Sequence, residues 1–263
     1  MTDFDALAHR AATAGADHAR RLFRSDLAVE TKTGKTDVVT RADREAQRAV
    51  VDELREADPD AAIVGEEDDA LKTVPAAGRA WVIDPIDGTH NYVRGGRCWT
   101  TSVALVEDGE PVAAANVLPA LGDTYRSVDG EVRRDGTPVT TSDRTDPETC
   151  VVCPTIWWPM DRRGEYARAT RAVVERFGDL KRPGSAQAAL GRLAAGELDG
   201  VITNVSTNPW DTIAGVHLVR VAGGRVTDLD GECWTHDARG LVASNGRIHD
   251  AVRSAARDID AER

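Results

Sequence analysis

The segment Trp81 to Asn91, Trp-Val-Ile-Asp-Pro-Ile-Asp-Gly-Thr-His-Asn, sets the tightest limit on what this chain can form. Trp81-Val82-Ile83 is a short apolar run of the kind that makes a buried strand. Pro85 has no amide hydrogen to continue a ladder, so the strand is expected to stop at Asp84-Pro85. Asp87-Gly88-Thr89 follows at once. A tight turn accounts for one Asp and one Gly. It leaves unexplained a second carboxylate and a hydroxyl at the end of a buried strand. If Asp84 and Asp87 face one pocket, their repulsion has to be relieved by protons or cations. Carboxylate oxygens are hard ligands of the type that suits Mg²⁺.

The chain has 263 residues, enough for one large domain or two of ordinary size. With 41% hydrophobic and 29% charged residues the composition is that of a globular protein. No apolar run approaches the roughly 20 residues of a membrane span. The first residues, Met-Thr-Asp-Phe-Asp, lack the basic start and apolar block of a signal peptide, which gives a cytoplasmic expectation. The net charge of −11 argues against nucleic acid as a partner. The same charge repels an anionic substrate unless bound cations reverse its sign locally. The four cysteines do not make a disulfide framework. Cys150 and Cys153 lie in an apparent strand whose period of two sends their sulfurs to opposite faces, so a shared metal or redox site is not expected.

Phe4 to Phe23 reads as an amphipathic helix with Phe4, Leu7, Ala8, Ala11, Ala14 and Leu22 on one stripe and His18 at its edge. Thr2 and Asp5 approximate a capping box for it. Glu30 to Thr36 is a polar loop containing Lys32 and Gly34-Lys35-Thr36, which lacks the spacing of a phosphate-binding P-loop. A second helix runs from Thr40 to about Ala57, with Thr40 and Asp43 in capping-box spacing. Ala61 to Val64 is a strand that ends in the acidic turn Gly65 to Asp69. From Thr100 to Val139, Asp-Gly and Gly-Asp turns punctuate apolar runs, the pattern of an antiparallel sheet. Asp143 to Glu148 is the best linker, dividing the chain into residues 1–145 and 146–263. The second part alternates: strand 150–153, helices 163–177 and 185–195, strand 200–203, helix 210–222, strand 241–244 and a terminal helix. That alternation is α/β. Ser185, after Pro183-Gly184, is placed as the N-cap of its helix.

Three motifs carry a resemblance. Asp84-Pro85-Ile86-Asp87-Gly88-Thr89, Gly65-Glu66-Glu67 upstream, and Trp210-Asp211-Thr212-Ile213-Ala214-Gly215 downstream resemble the motifs of the inositol monophosphatase family, within the lithium-sensitive, metal-dependent phosphatases. They occur in the family's order, and the likeness runs through nearly the whole chain. It implies the layered αβαβα sandwich of the inositol monophosphatase and fructose-1,6-bisphosphatase type, and a homodimer. It implies two or three Mg²⁺ ions. Glu66, Asp84 and the carbonyl of Ile86 would hold one; Asp84, Asp87 and Asp211 would hold another. It also implies that Thr89, bonded to Asp43, orients the attacking water. Gly88, Thr89, Ser185, Ala186 and Lys32 would lie against substrate.

Family members that select inositol carry Glu seven residues before the last motif Asp; this chain has Asn204. An amide bonds a hydroxyl but brings no charge. The expected activity is therefore hydrolysis of a small polyol or sugar phosphate, with inositol 1-phosphate first and fructose 1,6-bisphosphate as the alternative. Histidinol phosphate and adenosine 3′,5′-bisphosphate come after these. A regulatory or RNA-linked relative that keeps the fold would have an eroded ligand set or a basic face. Neither is seen in this sequence.

Overall fold

A computed structural model describes residues 3–25, 29–31, 38–67, 70–156 and 158–260; of 29–31 and 38–40 only the backbone is described. Lys32 and the acids at 68 and 69 lie outside that range. The chain runs α1 (Phe4–Leu22), β1 (Val29–Thr31), β2 (Val38–Thr40), α2 (Arg41–Ala57), β3 (Ala62–Gly65), β4 (Arg79–Asp87) and α3 (Thr89–Val93). Then come β5 (Thr100–Glu107), β6 (Glu110–Leu118), β7 (Asp123–Val128), β8 (Glu131–Arg134) and β9 (Thr137–Val139). The second half contributes β10 (Val151–Pro154), α4 (Arg163–Val174), β11 (Asp179–Leu180), α5 (Ala186–Ala194) and β12 (Gly200–Ser206). It closes with α6 (Pro209–Val221), β13 (Arg225–Thr227), β14 (Arg239–Ser244) and α7 (His249–Arg257).

These elements stack in five layers. A seven-stranded sheet has the order β3-β4-β5-β6-β7-β8-β9 and is antiparallel except for the parallel pair β3–β4. A five-stranded sheet has the order β11-β10-β12-β14-β13. Leu7, Ala11, Val50 and Leu54 of α1 and α2 cover one face of the first sheet, meeting Trp81, Ile83 and Val103. Leu190, Ile213 and Val216 of α5 and α6 fill the space between the sheets. They meet Val82 and Ala104 on one side and Val201 and Ala243 on the other. Ala169 of α4 and Val252 of α7 cover the outer face of the second sheet against Val152, Ile202 and Val242. This is the αβαβα sandwich expected. Both faces of β4 are covered, which is why its apolar residues run on without polar alternation.

Several local expectations are corrected. The strand containing Trp81 does not stop at Pro85; it runs to Asp87 with a register shift between Asp84 and Asp87. The Pro85 carbonyl accepts from Thr101 Oγ1 at 2.8 Å, so the side without an amide is bridged by a side chain. Asp3 caps α1, its carboxylate accepting from the Ala6 amide at 2.9 Å; Thr2 lies outside the described residues. Asp5 instead receives the Ser127 hydroxyl. Ala14 is only half-buried, whereas Ala12, Gly15, Ala16 and Ala19 are buried against α2 and its neighbours. α4 ends at Val174, three residues before Phe177. Glu30 and Thr31 belong to β1 rather than to a loop. The sulfurs of Cys150 and Cys153 do face opposite ways, one in the outer core and one in the central core. No helix of the described residues is long and apolar enough to cross a membrane.

The central helices touch at Gly215, where an added Cβ would overlap Leu190 and lie 2.9 Å from Gln187 Oε1. Backbone approach this close excludes any side chain. Gly215→Val is expected to lower stability by about 1–3 kcal/mol or more. A denaturant titration monitored by far-UV circular dichroism checks this, and an unchanged midpoint would contradict the close packing.

Candidate active site

The bulge in β4 builds the site. Residues three apart on a regular strand point to opposite faces. On β4, Asp84 pairs with Ser102 and Asp87 with Thr100, so three steps on one strand match two on the other. The extra residue returns Asp87 to the side of Asp84. Gly88 then adopts φ +93°, and a Cβ there would crowd Gly184 O at 3.1 Å and Cys98 O at 3.2 Å. Glycine is required on both counts. Next, α3 opens on Thr89, fixed by buried Tyr92, whose hydroxyl donates to Ala19 O at 2.7 Å. Ile86, Tyr92 and Trp99 share a small core with Ala42 and Ala46 of α2. That core brings Asp43 beside Thr89. Thr89 Oγ1 stands 3.0 Å from Ile86 O and 3.4 Å from Asp43 Oδ1.

Above these residues is a cavity of about 470 Å³. Glu66, Asp84, Ile86, Asp87, Gly88, Thr89, Ser185, Ala186 and Asp211 all contribute to its wall. Asp43 lies behind it, 1% exposed, in contact through Thr89. Ser185 caps α5 as expected, accepting from Ala188 N at 3.0 Å. The same hydroxyl donates to Asp87 Oδ2, which also accepts from Gln187 N at 2.7 Å. So the Ser185 side chain serves Asp87 and the helix end. Asp211 both caps and lines: its Oδ2 accepts from Asn208 N at 3.0 Å. Among the described residues no three His, Cys, Asp or Glu side chains close into a metal-binding group. Glu66, Asp84, Asp87 and Asp211 nevertheless line the same cavity.

A model of the inositol monophosphatase family matches residues 1–261. The chain belongs to the inositol monophosphatase family. It is 36% identical over 236 residues to a fructose-1,6-bisphosphatase/inositol-1-monophosphatase of Thermotoga maritima, over 88% of this chain and 87% of that protein. It is 33% identical over 242 residues to a histidinol-phosphatase of Streptomyces coelicolor, over 86% of each. An IMPase structure from Thermotoga maritima superposes with a TM-score of 0.89 at 31% identity, over 98% of both chains. As an inositol monophosphatase family member the chain is a phosphoric monoester hydrolase.

Asn204 does not reach the cavity of this family member. It is 0% exposed, accepts from Trp158 Nε1 at 2.7 Å, and donates to Asp260 Oδ1 at 2.7 Å and to Glu165 Oε2. Its neighbours Val205 and Ser206 line the wall in its place. The expected contact between Asn204 and substrate is thereby corrected: the amide is spent on buried partners. Other residues went unforeseen. Gln47 of α2 receives the Glu67 amide at 2.9 Å and so holds the acidic turn. Lys72 Nζ donates to the carbonyls of Gly65 and Glu66 at 2.8 and 3.0 Å and sits over the Trp210 ring. Asn91 Nδ2 donates to Cys98 O at 2.6 Å and Pro183 O at 2.8 Å, joining the two loops that flank Gly88. His90, Arg94 and Arg182 add basic groups to the wall. No pattern in the sequence marks these, because their partners are backbone groups or ring faces, such as Glu67 for Gln47, Pro183 for Asn91 and Trp210 for Lys72, that only folding brings alongside.

Burial, then the nearby charges of Glu66, Asp87, Asp211 and Asp43, raise the pKa of Asp84 well above the usual carboxylate range. Burial also pushes Asp87 up to about 6, against the donors from Ser185, Gln187 and Ala186 that pull it down. The donors are hard oxygens gathered on one wall, and divalent cations would relieve exactly the repulsion that these shifts record. The residues therefore fit a hard cation. A carboxyl whose pKa is raised by folding stabilises the fold below its unfolded value, near 3.8, and that contribution is lost as pH rises through about 6. Buried His249, lowered to about 4, acts in the opposite sense. Chelator-treated protein is therefore expected to lose more melting temperature between pH 4.5 and 7 than its Asp87→Asn variant does. Mg²⁺ is expected to raise the melting temperature more at pH 7 than at pH 5. Identical pH profiles for the two proteins would remove Asp87 from the buried acidic group.

Proposed function

We propose that the chain is a Mg²⁺-dependent phosphomonoesterase of small polyol or sugar phosphates, acting on inositol 1-phosphate with fructose 1,6-bisphosphate as the alternative. The observation that carries this is the sharing of one cavity by Glu66, Asp84, Asp87 and Asp211, with the Thr89–Asp43 pair at its floor. Two names among the relatives support the pair of substrates. The working form is taken to be a cytoplasmic homodimer, on family membership alone.

Phosphate monoesters are inert enough that enzymes accelerate their hydrolysis by up to ~10²¹. General-base help supplies only about 10²–10⁴ of this. The rest is charge stabilisation and positioning. Glu66, Asp84 and the Ile86 carbonyl would hold one Mg²⁺, and Asp84, Asp87 and Asp211 another. Bound there, divalent cations neutralise the phosphate and make water acidic enough to attack at neutral pH.

The chain's own residues do the remainder. The Thr89 hydroxyl accepts a proton from the attacking water while donating its own toward Asp43. Asp43, buried behind Thr89, is the acceptor that keeps this pair oriented. Amides at Gly88 and Thr89 grip the phosphate oxygens. The water oxygen bonds to phosphorus as the ester P–O bond breaks. The departing alkoxide keeps the electron pair and takes a proton from solvent. No covalent intermediate with the protein is needed.

Asp87→Asn is expected to cut Mg²⁺-dependent phosphate release by at least about a thousandfold with the fold retained. Thr89→Ala is expected to lower kcat by about a hundredfold with KM little altered. A panel of inositol 1-phosphate, fructose 1,6-bisphosphate, histidinol phosphate and adenosine 3′,5′-bisphosphate, with and without Mg²⁺, measures both. Undiminished turnover by the Asp87 variant would remove the assignment, and release from none of the four would favour a non-catalytic relative.

A further inference from the structure

Gln187 of α5 and Asn116 of β6 are a pair of amides, both 0% exposed, in the layer that Leu190, Ile213 and Val216 fill between the two sheets. Asn116 stands in the row that runs through Ser102 of β5 to Asp84 of β4. Its Nδ2 donates to Gln187 O at 3.1 Å and to Gln187 Oε1 at 3.2 Å. The same Oε1 accepts from Gly215 N at 2.8 Å, and Gln187 Nε2 donates to Trp210 O at 2.7 Å. An amide has one accepting and one donating end, so these partners fix which end lies where. The Gln187 main-chain amide, in the first turn of α5, donates to Asp87 Oδ2 at 2.7 Å. One residue therefore grips Asp87 with its main chain and, with its side chain, the part of α6 that carries Asp211.

Buried amides in an apolar layer work against folding unless every group is paired. Asn116 Oδ1 has no hydrogen-bond partner among the described residues. Apolar side chains would pack α5 on α6 without that penalty. What they would not supply is direction. Hydrogen bonds fix both the distance and the rotation between two helix starts, whereas apolar contacts tolerate sliding and repacking.

We propose that Gln187, held by Asn116, is a positioning residue that sets the separation of Asp87 and Asp211, and thereby the affinity of the cation that these two would share with Asp84. The inference rests on the cation assignment of the phosphatase reading and adds to it an asymmetry between the two ions. Glu66, a ligand of the other ion only, has a different mount. Its turn is held by Gln47, which accepts from Glu67 N at 2.9 Å, and by Lys72, which donates to the carbonyls of Gly65 and Glu66. Two separate sets of contacts thus support the two ligand sets. Removing the Gln187 link loosens one set and leaves the other standing.

The test counts Mn²⁺, a cation that shares the preference for hard oxygens, on the chelator-treated full chain. Free ion is read from its electron paramagnetic resonance signal. Asp211→Asn identifies the binding step that belongs to its ligand set. Gln187→Met, similar in size but without the amide, is expected to weaken that step about tenfold and to change the other less than about threefold. It is also expected to lower the melting temperature, since Asn116 Nδ2 loses its side-chain acceptor. The double variant Asn116→Leu with Gln187→Met removes both amides and is expected to regain melting temperature while the step stays weak. A merely structural pair would recover both together. Equal weakening of the two steps, no weakening in folded variants, or affinity restored in the double variant would overturn the inference and leave the phosphatase reading in place. A parent chain with a single class of Mn²⁺ site would do the same. A parent chain that binds no divalent cation would end both.

Discussion

One extra residue in β4 is the constraint on which the rest depends. Without it, Asp84 and Asp87 would stand on opposite faces of a sheet covered on both sides, and one of them would be driven into an apolar core. Pro85 makes the irregularity cheap, since it has no amide to lose from the ladder. Thr101 satisfies the Pro85 carbonyl that the irregularity exposes. The bulge thus converts a buried strand into a platform that presents two carboxylates and a backbone carbonyl to one side.

Placing several acids together works against folding, as the raised pKa values of Asp84 and Asp87 record. The surrounding structure opposes this with donors instead of counter-charges alone. Ser185 and Gln187 hold Asp87 at the start of α5. Gln187 Nε2 also donates to Trp210 O at 2.7 Å, tying α5 to the start of α6, from which Asp211 projects. Gln47 and Lys72 hold the turn that carries Glu66. Backbone amides, uncharged side chains and the Lys72 ammonium, directed at carbonyls, thus fix the segments that carry the carboxylates. The central helix layer therefore serves as core and as the rigid mount for ligands arriving from distant parts of the chain.

Much of this was legible beforehand. Period-two patterns and Asp-Gly turns marked the first sheet, and strand–helix alternation marked the second. The three acidic motifs each lay at a strand end or helix start, where side chains are held by rigid elements yet reach an open edge. Boundaries slipped where two signals competed. Pro85 suggested a stop, but the side-chain bridge from Thr101 let the strand continue. Asp5 suggested half of a capping box, but Asp3 caps the helix and Asp5 receives the Ser127 hydroxyl. The larger miss was Asn204. Its position before Asp211 pointed to the substrate, yet the register shift in β12 between Thr203 and Ser206 leaves its side chain among Trp158, Glu165 and Asp260.

The residues alone marked the acidic strand ends, the antiparallel sheet and the strand–helix alternation, because hard-oxygen motifs and hydrophobic periods are local properties written into short stretches of chain; the layer order and the phosphatase chemistry came from the likeness to the family. Tertiary structure decided the rest: which carboxylates share a wall, that Thr89 lies against Asp43, that Lys72 and Arg182 belong to the site, and that Asn204 does not touch it. Those facts turn on register and on contacts between segments as far apart in the chain as Lys72 and Trp210. No window of sequence contains both partners, so only packing can bring them together or keep them apart.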